Sequence, residues 1–146
     1  MQKSKRYKDE RLNFAVDELT TYRELQRRIA FLKKRRQDYE DQYSALKSVI
    51  YDDIKVEGGN WHNSVEDIAV RKAMLDAEIA KLQKDAEHSM YIIDVRLQKL
   101  SALHREVLWL YYIEFKSIMD VAREMGYSFE GIRTLKSKAL KNYANY

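Results

Sequence analysis

Apolar and aromatic side chains recur at alternating spacings of three and four residues along the first third of the chain. This spacing places the side chains on one face of a helix, as in a coiled coil or a long bundle helix. The pattern predicts a first helix of about 40 residues, or about 60 Å. Its positions are Tyr22, Leu25, Ile29, Leu32, Arg36, Tyr39, Tyr43, Leu46 and Ile50, with Leu12, Val16 and Leu19 extending the series less regularly towards the start.

A second series of the same kind follows a segment, residues 52–63, that has no helical period. This segment contains the turn signal Gly58-Gly59-Asn60, and Ser64 with Asp67 predicts a capping box at the start of the next helix. Two long helices joined by one loop indicate an antiparallel hairpin, which we expect to pack also on a second copy or on the end of the chain. The second series is Val65, Ile68, Lys72, Leu75, Ile79, Leu82, Ala86, Met90, Ile93, Leu97 and Leu100.

Arg36 and Lys72 interrupt the two apolar series. One interpretation is that their long side chains leave the apolar face or pair with an acid such as Glu78 across the hairpin. The other is that they fix the register of the two helices, as buried polar residues do in some coiled coils.

From Leu100 the spacing changes and the predicted helices become shorter. A helix that starts at Ser101 or Leu103 carries Val107, Leu108, Leu110 and Tyr111, and residues 114–116 form a connector. Ser117 with Asp120 predicts the next helix start, Gly126 predicts its end, and Ser128 predicts the cap of the last helix. The inner faces of these two helices are predicted to be Val121, Ala122 and Met125, then Ile132, Leu135, Ala139, Leu140 and Tyr143.

The composition agrees with an all-α protein and excludes several other classes. The 146 residues include no proline, no cysteine and four glycines, too few turn residues for a β-sandwich or a doubly wound sheet. The lack of cysteine excludes a disulfide scaffold and a thiolate metal site. Neither a membrane-spanning apolar run nor a signal peptide is recognisable, so we expect a soluble, intracellular protein. The net charge is only +4, but residues 128–146 carry four basic groups against one acid, while residues 61–127 are slightly acidic.

A short helix, a glycine at the turn and a basic amphipathic helix form the pattern of a helix-turn-helix. In such a motif the first half of the last helix enters the major groove, where Arg can pair with guanine and Glu with cytosine. Lysines further along suit phosphates. The candidate base-contacting residues are Phe129, Glu130, Arg133, Thr134 and Ser137, and the candidate DNA-backbone contacts are Ser128, Lys136, Lys138 and Lys141.

Three short motifs carry a more specific similarity. They are Arg105-Glu106-Val107-Leu108 in the first short helix, Val121-Ala122 with Gly126 in the second, and Ile132-Arg133, Leu135 and Lys138-Ala139-Leu140 in the last. With these motifs, residues 103–143 resemble the fourth conserved region of bacterial sigma factors, the helix-turn-helix that contacts the promoter −35 element. The remainder of the chain has no sigma core-binding region, so the chain is not a whole sigma factor.

The order of a long helical half, a loop with Gly58-Gly59 and a sigma-like end resembles the RinA/ArpU group of phage and prophage regulators, which is associated with late genes. The sigma resemblance implies base contacts from Phe129, Glu130 and Thr134, a phosphate or flanking-base contact from Arg133, and a matching lysine at Lys138. Phe129 and Gly131 depart from the sigma pattern, because sigma factors commonly carry a basic residue at the position of Phe129. The −35 sequence is therefore not assumed as the target, and Gly131 either permits close approach to DNA or is merely tolerated in the first turn.

The remaining charged and polar residues form no pattern that predicts catalysis or metal binding. The basic run Lys33–Arg36, with Arg27 and Arg28 before it, is either a solvated helix face or an additional contact to DNA. The basic residues before Asp9 form a tail with the same two interpretations. The three histidines have no companion ligands at metal-binding spacing, and no catalytic constellation or phosphate-binding loop is present, so we expect neither an enzyme nor a cofactor.

The sequence thus predicts a hairpin for oligomerisation or partner binding in residues 1–99 and a DNA-binding domain in residues 100–146. The expected function is a sequence-specific transcriptional regulator, a phage activator that acts as a homodimer on double-stranded DNA, with RNA polymerase as a possible partner, in the cytoplasm of a bacterial host. Two alternatives stay open. One is a DNA-packaging subunit like the small terminase proteins, which usually carry the helix-turn-helix at the other end, and the other is a coiled-coil adaptor that binds RNA polymerase without DNA.

Overall fold

The computed structural model describes the backbone of residues 8–52 and 60–146, and the side chains of residues 8–49 and 65–146. The basic residues before Lys8, the Gly58-Gly59 turn and the side chains of Ile50 and Ser64 lie outside this description. Five α-helices and one π-helical turn make up the described chain, which contains no β-strand. They are α1 (Glu10–Asp52), α2 (Asn60–Leu97), α3 (Ala102–Leu108), the π-helix (Trp109–Ile113), α4 (Ile118–Met125) and α5 (Phe129–Ala144).

The two apolar series are confirmed as the inner faces of α1 and α2. Every member with a described side chain, from Leu12 to Leu46 and from Val65 to Leu100, is buried or half-buried. The intervening positions are mostly exposed, as the alternating spacing of three and four requires. An all-α architecture with two long N-terminal helices is therefore confirmed. Among the described residues, no helix combines the length and apolar character needed to span a membrane.

The start of α2 differs from the prediction. The helix begins at Asn60, so Ser64 lies inside it, and the predicted capping box of Ser64 and Asp67 is wrong. Residues 60–63 precede the first member of the apolar series. Trp61 lies four residues before Val65 and so continues the spacing of three and four, but the Ser64–Asp67 motif favoured a later helix start.

By compactness the chain forms two units. One contains the residues up to Glu24 together with Ala86–Tyr146, and the other is Leu25–Asp85. The predicted boundary near residue 100 is a different division, and it stays a prediction.

The unit Leu25–Asp85 is a helical hairpin held by an apolar centre and by ion pairs across its helices. Ile29 and Leu32 of α1 and Ile79 of α2 are at most 6% exposed. Arg36 pairs with Asp76, and Lys72 pairs with Glu40. These contacts raise the pKa of Arg36 and lower that of Glu40.

Arg36 and Lys72 therefore pair with acids across the hairpin, as the first interpretation predicted. Their partners are Asp76 and Glu40 rather than Glu78. Glu78 instead accepts from Arg28, at 2.9 Å. A role of Arg36 and Lys72 in fixing the register stays a prediction.

In the other unit a single apolar core joins the beginning of α1 and the end of α2 to all the shorter helices. Its fully buried members include Leu19 of α1, Ile93 of α2 and Val107 of α3. Val121 of α4 and Ile132 of α5 belong to the same core. The three short helices thus pack on the ends of the two long ones. The sequence predicted that the long helices pack either on a second copy or on the end of the chain, and this contact is the second of these.

Candidate nucleic-acid interface

The short helix α4 begins and ends as its sequence predicts. The hydroxyl oxygen of Ser117 accepts the backbone N–H of Asp120 at 3.2 Å, which satisfies one of the free donors at the helix start. At the other end Gly126 adopts φ 74°, in the left-handed region that glycine enters without a steric penalty. The N–H groups of Gly126 and Tyr127 both donate to the carbonyl of Ala122. The chain can therefore turn sharply into α5.

The start of α5 is fixed in the same way. Ser128 accepts the backbone N–H of Gly131 at 3.0 Å, which confirms it as the cap. A Cβ atom on Gly131 would lie 3.0 Å from the Ser128 oxygen, tighter than an ordinary van der Waals contact. The close cap therefore gives a structural reason for glycine at this position, beside the two interpretations drawn from the sequence.

Buried apolar contacts set the relation between α4 and α5. Val121 and Ile132 are fully buried, Ala122 is 6% exposed and Leu135 is half-buried. These four residues were predicted to hold the two helices together, and the prediction is confirmed. Both α3 and α4 pack against α5. The last helix is thus supported along its inner face, which leaves the opposite face free for contact with another molecule.

The predicted base-contacting residues share the outer face of α5, four of them in its first half and Ser137 at the start of its second half. All of them are exposed, and even the large aromatic side chain of Phe129 is 46% exposed. The structure brings together Phe129, Glu130, Arg133, Thr134 and Ser137. Three of the four candidate backbone contacts, Ser128, Lys138 and Lys141, are exposed as well.

Local contacts orient several of these groups without burying them. The guanidinium of Arg133 lies 3.9 Å from the Glu130 carboxylate and 5.7 Å from the centre of the Phe129 ring. The side chains of Arg133 and Glu130 remain 62% and 82% exposed, so the pair is easily exchanged for other partners. The Thr134 hydroxyl donates to the Glu130 carbonyl at 3.0 Å, which leaves its oxygen able to accept and its methyl group available. A base edge can engage each of these groups.

Lys136 is placed differently from the other three candidate backbone contacts. Its side chain is half-buried, and its ammonium group lies 3.9 Å from the centre of the Tyr111 ring. At this distance the ring face attracts the cation. This contact joins α5 to the π-helix and gives Lys136 a structural role. Its contact to the DNA backbone stays a prediction.

Polar contacts anchor the far end of α5. The Tyr143 ring is completely buried, and its hydroxyl donates to Glu18 of α1 at 2.7 Å. Arg96 of α2 lies 3.3 Å from the same carboxylate oxygen. Burial, and then the bond to Glu18, raise the pKa of Tyr143 well above its ordinary value. On the exposed side, Asn142 meets the His104 ring nitrogen at 2.9 Å. Sequence reasoning missed Glu18 and Arg96 as supports of α5, because no local pattern links residues so far apart.

The segment before α4 also departs from the simple helical pattern. Ser101 accepts the His104 N–H at 3.4 Å and caps α3, the first of the two predicted starts. After Leu108 the chain continues as a π-helical turn, in which Tyr112 is buried and Tyr111 is half-buried against the core. A π-helical turn widens the helix and shifts the following side chains around it. The spacing of apolar residues alone gives no sign of this shift.

The connector after the π-helix is strained and held by charge. Phe115 adopts φ 61°, a conformation that is uncommon for a bulky residue, and the guanidinium of Arg23 lies 5.4 Å from its ring centre. Lys116 pairs with Glu124 of α4 and lies 3.3 Å from Glu114. The bond to Glu124, then that to Glu114, raise the pKa of Lys116. These contacts fix the approach of the chain to α4.

Comparison with known proteins agrees with this geometry. Residues 96–142 match the family model described as Sigma-70, region 4. The matched segment contains α3, the π-helix, α4 and nearly all of α5, which are the elements described above. The end of the chain is therefore a helix-turn-helix like that of sigma region 4, and the match indicates DNA binding. No curated protein and no solved structure matches the chain.

Proposed function

We propose that the chain is a sequence-specific DNA-binding transcriptional regulator that contacts base edges in the major groove through α5. The observation that carries this proposal is the outer face of α5. Phe129, Glu130, Arg133, Thr134 and Ser137 are exposed together just after a capped helix start, while the opposite face is buried in the core. Helix-turn-helix proteins present the first half of their second helix to the major groove in the same way.

The chemistry of each group suggests its contact. Arg133 suits the two acceptors of a guanine, and Glu130 suits the amino group of a cytosine. Thr134 and the Phe129 ring suit a thymine methyl group. Ser137 completes this surface one turn further along α5. These contacts would give the protein its sequence preference.

The phosphate contacts would come from groups around the base-contacting surface. The Ser128 hydroxyl lies at the helix start, and Lys138 and Lys141 are exposed on the second half of α5. Lys136 is proposed as a weaker contributor, because its ammonium group already lies on the Tyr111 ring. Contacts of this type set orientation on the duplex but carry no sequence information.

The wider role follows from the resemblance to the RinA/ArpU group. On that basis the protein is proposed to activate late genes of a phage or prophage in its bacterial host, with RNA polymerase as a partner. A homodimer would place two α5 helices on half-sites about one helical turn apart, or a multiple of that spacing. Sedimentation of the protein, free and with its site, tests this part. A monomer at micromolar concentration in both states contradicts it.

The test of the proposal is a selection of bound fragments from the source genome by the purified full chain. About 150 mM salt and excess random competitor DNA suppress non-specific binding. The comparison proteins are the double variant Arg133→Ala/Lys138→Ala and a control, Arg11→Ala/Lys84→Ala, which loses the same charge from exposed positions of α1 and α2.

Enrichment of one sequence motif by the wild type and the control, but not by the Arg133→Ala/Lys138→Ala variant, is the expected result. The location of the enriched fragments then separates a regulator, which binds near promoters, from a packaging subunit, which binds near packaging genes. Absence of enrichment by the folded wild-type protein overturns the proposal and favours the adaptor.

A further inference from the structure

A groove with an apolar lining runs along one side of the hairpin unit Leu25–Asp85. Phe31 of α1 and Met74 of α2 line it and are 59% and 67% exposed. Leu32 and Leu75, which belong to the inner faces of the helices, contribute further apolar lining. The groove encloses about 330 Å³. Large apolar side chains grouped at a surface in this way are typical of a site that binds another molecule.

The apolar surface continues for another turn along α2. Val70 lies four residues before Met74 and is 57% exposed. Residues four apart lie on the same side of a helix. The exposed apolar surface therefore extends along the helix axis, which suits an elongated partner better than a compact small molecule.

The charge around the groove is mainly positive. Three arginines, Arg28, Arg35 and Arg71, line it with one acid, Glu78. Arg28 already pairs with Glu78 at 2.9 Å, and Arg71 lies 3.3 Å from Asp67.

Arg35 is the arginine that remains available. In the described parts of the chain it has no carboxylate partner, and it donates to the hydroxyl of Tyr39 at 3.3 Å. Hydrogen bonding to Arg35 first, and to Arg71 second, lowers the pKa of Tyr39, which lies between these two arginines in the lining of the groove.

We propose that this groove binds an acidic amphipathic helix of a partner protein. Apolar side chains of that helix would lie between Phe31 and Met74, and a carboxylate of that helix would face Arg35. Helices that bind in grooves use apolar side chains spaced at i, i+4 and i+7, a spacing that fits a strip running along α2. The groove contains no residue of α5, so this inference goes beyond the proposed DNA binding and does not depend on it.

The positive charge and the apolar lining of the groove favour an acidic amphipathic helix over a second copy of the chain and over a DNA backbone. A second copy would bring an identical set of arginines against this one, and like charges across an interface oppose association. A DNA backbone would be attracted by the arginines but would leave Phe31 and Met74 in water. An acidic helix with an apolar face complements both features at once.

The probe for the test is a displayed library of helical peptides, each about 20 residues long, a length that supports helix formation in water. The i, i+4 and i+7 positions sample Leu, Phe, Met and Ser, and the flanking positions sample Glu, Lys and Gln. The bait is the full chain. We expect the enriched peptides to be acidic and to carry apolar residues at the three spaced positions.

Two pairs of variants locate the binding site of an enriched peptide. Arg35→Glu reverses a charge in the groove, and Lys34→Glu makes a comparable charge reversal at the adjacent exposed residue outside it. Met74→Gln removes an apolar contact in the groove, and Tyr91→Gln changes an equally exposed side chain of α2 elsewhere, 68% exposed against 67%. The groove variants should weaken binding about tenfold or more, and their controls less than about twofold.

Four outcomes overturn the proposal. The first is that no peptide is enriched, or that the enriched peptides are basic or uncharged. The second is an equal loss of binding in a groove variant and its control. A dimer that Met74→Gln converts to a monomer, with Tyr91→Gln unchanged, would assign the groove to a second copy. A loss of random-duplex binding in Arg35→Glu but not in Lys34→Glu would assign it to DNA.

Discussion

The hydroxyl of Tyr143 donates a hydrogen bond of 2.7 Å to the carboxylate of Glu18, which lies 125 residues earlier in the chain. Tyr143 belongs to α5, the helix that carries the candidate DNA contacts, and Glu18 belongs to α1. Arg96 of α2 shares the same carboxylate oxygen at 3.3 Å. One polar cluster therefore joins α5 to both long helices, and the position of α5 depends on residues far from it in sequence.

Removal of the Tyr143 hydroxyl tests this cluster. Tyr143→Phe keeps the buried ring but leaves Glu18 without its neutral donor, and the expected loss is about 1–2 kcal/mol in the free energy of unfolding. Denaturation in urea measures the loss. Tyr127→Phe, at a ring that is 41% exposed, is the control and should change stability by less than about 0.5 kcal/mol. Equal stabilities of wild type and Tyr143→Phe would show that the bond contributes nothing.

The same hydroxyl predicts a pH dependence. The pKa of Tyr143 is raised in the folded protein, whereas an unfolded tyrosine loses its proton at about pH 10. Above that pH the folded state retains a proton that the unfolded state has lost, so the contribution of Tyr143 to stability falls as the pH rises. The slope is about 1.4 kcal/mol per pH unit.

Stability of the wild type and of Tyr143→Phe, measured from about pH 9 to about pH 11, gives the comparison. The phenylalanine variant lacks this titration, so the stability difference between the two proteins should shrink above about pH 10. A difference that stays constant or grows with pH contradicts the assignment.

Gly126 gives a separate test of the turn between α4 and α5. A Cβ atom there would meet nothing within 4 Å, so the cost of a side chain comes from the φ of 74° alone. Gly126→Ala is expected to lose about 1–2 kcal/mol of stability. Gly126→Asn should lose less, because asparagine tolerates the left-handed conformation. Thermal or urea denaturation of both variants checks the order, and equal losses would mean that the backbone angle is not the cause.

Lys136 and Lys138 allow two kinds of lysine to be compared on one helix. Lys138→Gln should reduce the steepness with which DNA affinity falls with salt concentration, by about one phosphate contact. Lys136→Gln should reduce it less and should instead cost about 0.5–1 kcal/mol of folding stability, because its ammonium group lies on the Tyr111 ring. Salt titrations and denaturation of both variants separate the roles. If Lys136→Gln flattens the salt dependence as much as Lys138→Gln and leaves stability unchanged, the assigned difference is wrong.

Features specified by short stretches of sequence were predictable. The caps at Ser117 and Ser128 and the left-handed Gly126 depend on contacts within a few residues, and all three were correct. The capping box of Ser64 and Asp67 is the exception, because α2 begins earlier, at Asn60. The buried faces of α1 and α2 follow from a repeat that is sustained over many turns. Such a pattern marks the inner face whatever the partner is.

Three kinds of feature were not predictable: the alignment of distant helices, a local change in backbone hydrogen bonding, and side-chain packing between helices. The acid that pairs with Arg36 is Asp76 rather than Glu78, because the choice depends on how two distant helices are aligned. The π-helical turn that buries Tyr112 involves a change in backbone bonding that apolar spacing does not show. The outer face of α5 could be outlined from the sequence, whereas the packing of Lys136 on Tyr111 could not.

The affinity of Arg133→Ala for a selected site and for random duplex, at one salt concentration, tests the account most directly. Arg133 is exposed on the outer face of α5, and a base contact predicts a loss of about 1–3 kcal/mol on the specific site with little change on random DNA. Arg123→Ala removes the same charge from the exposed surface of α4 and should leave the ratio of the two affinities unchanged. A loss by Arg133→Ala that is equal on both DNAs would contradict the base contact assigned to Arg133.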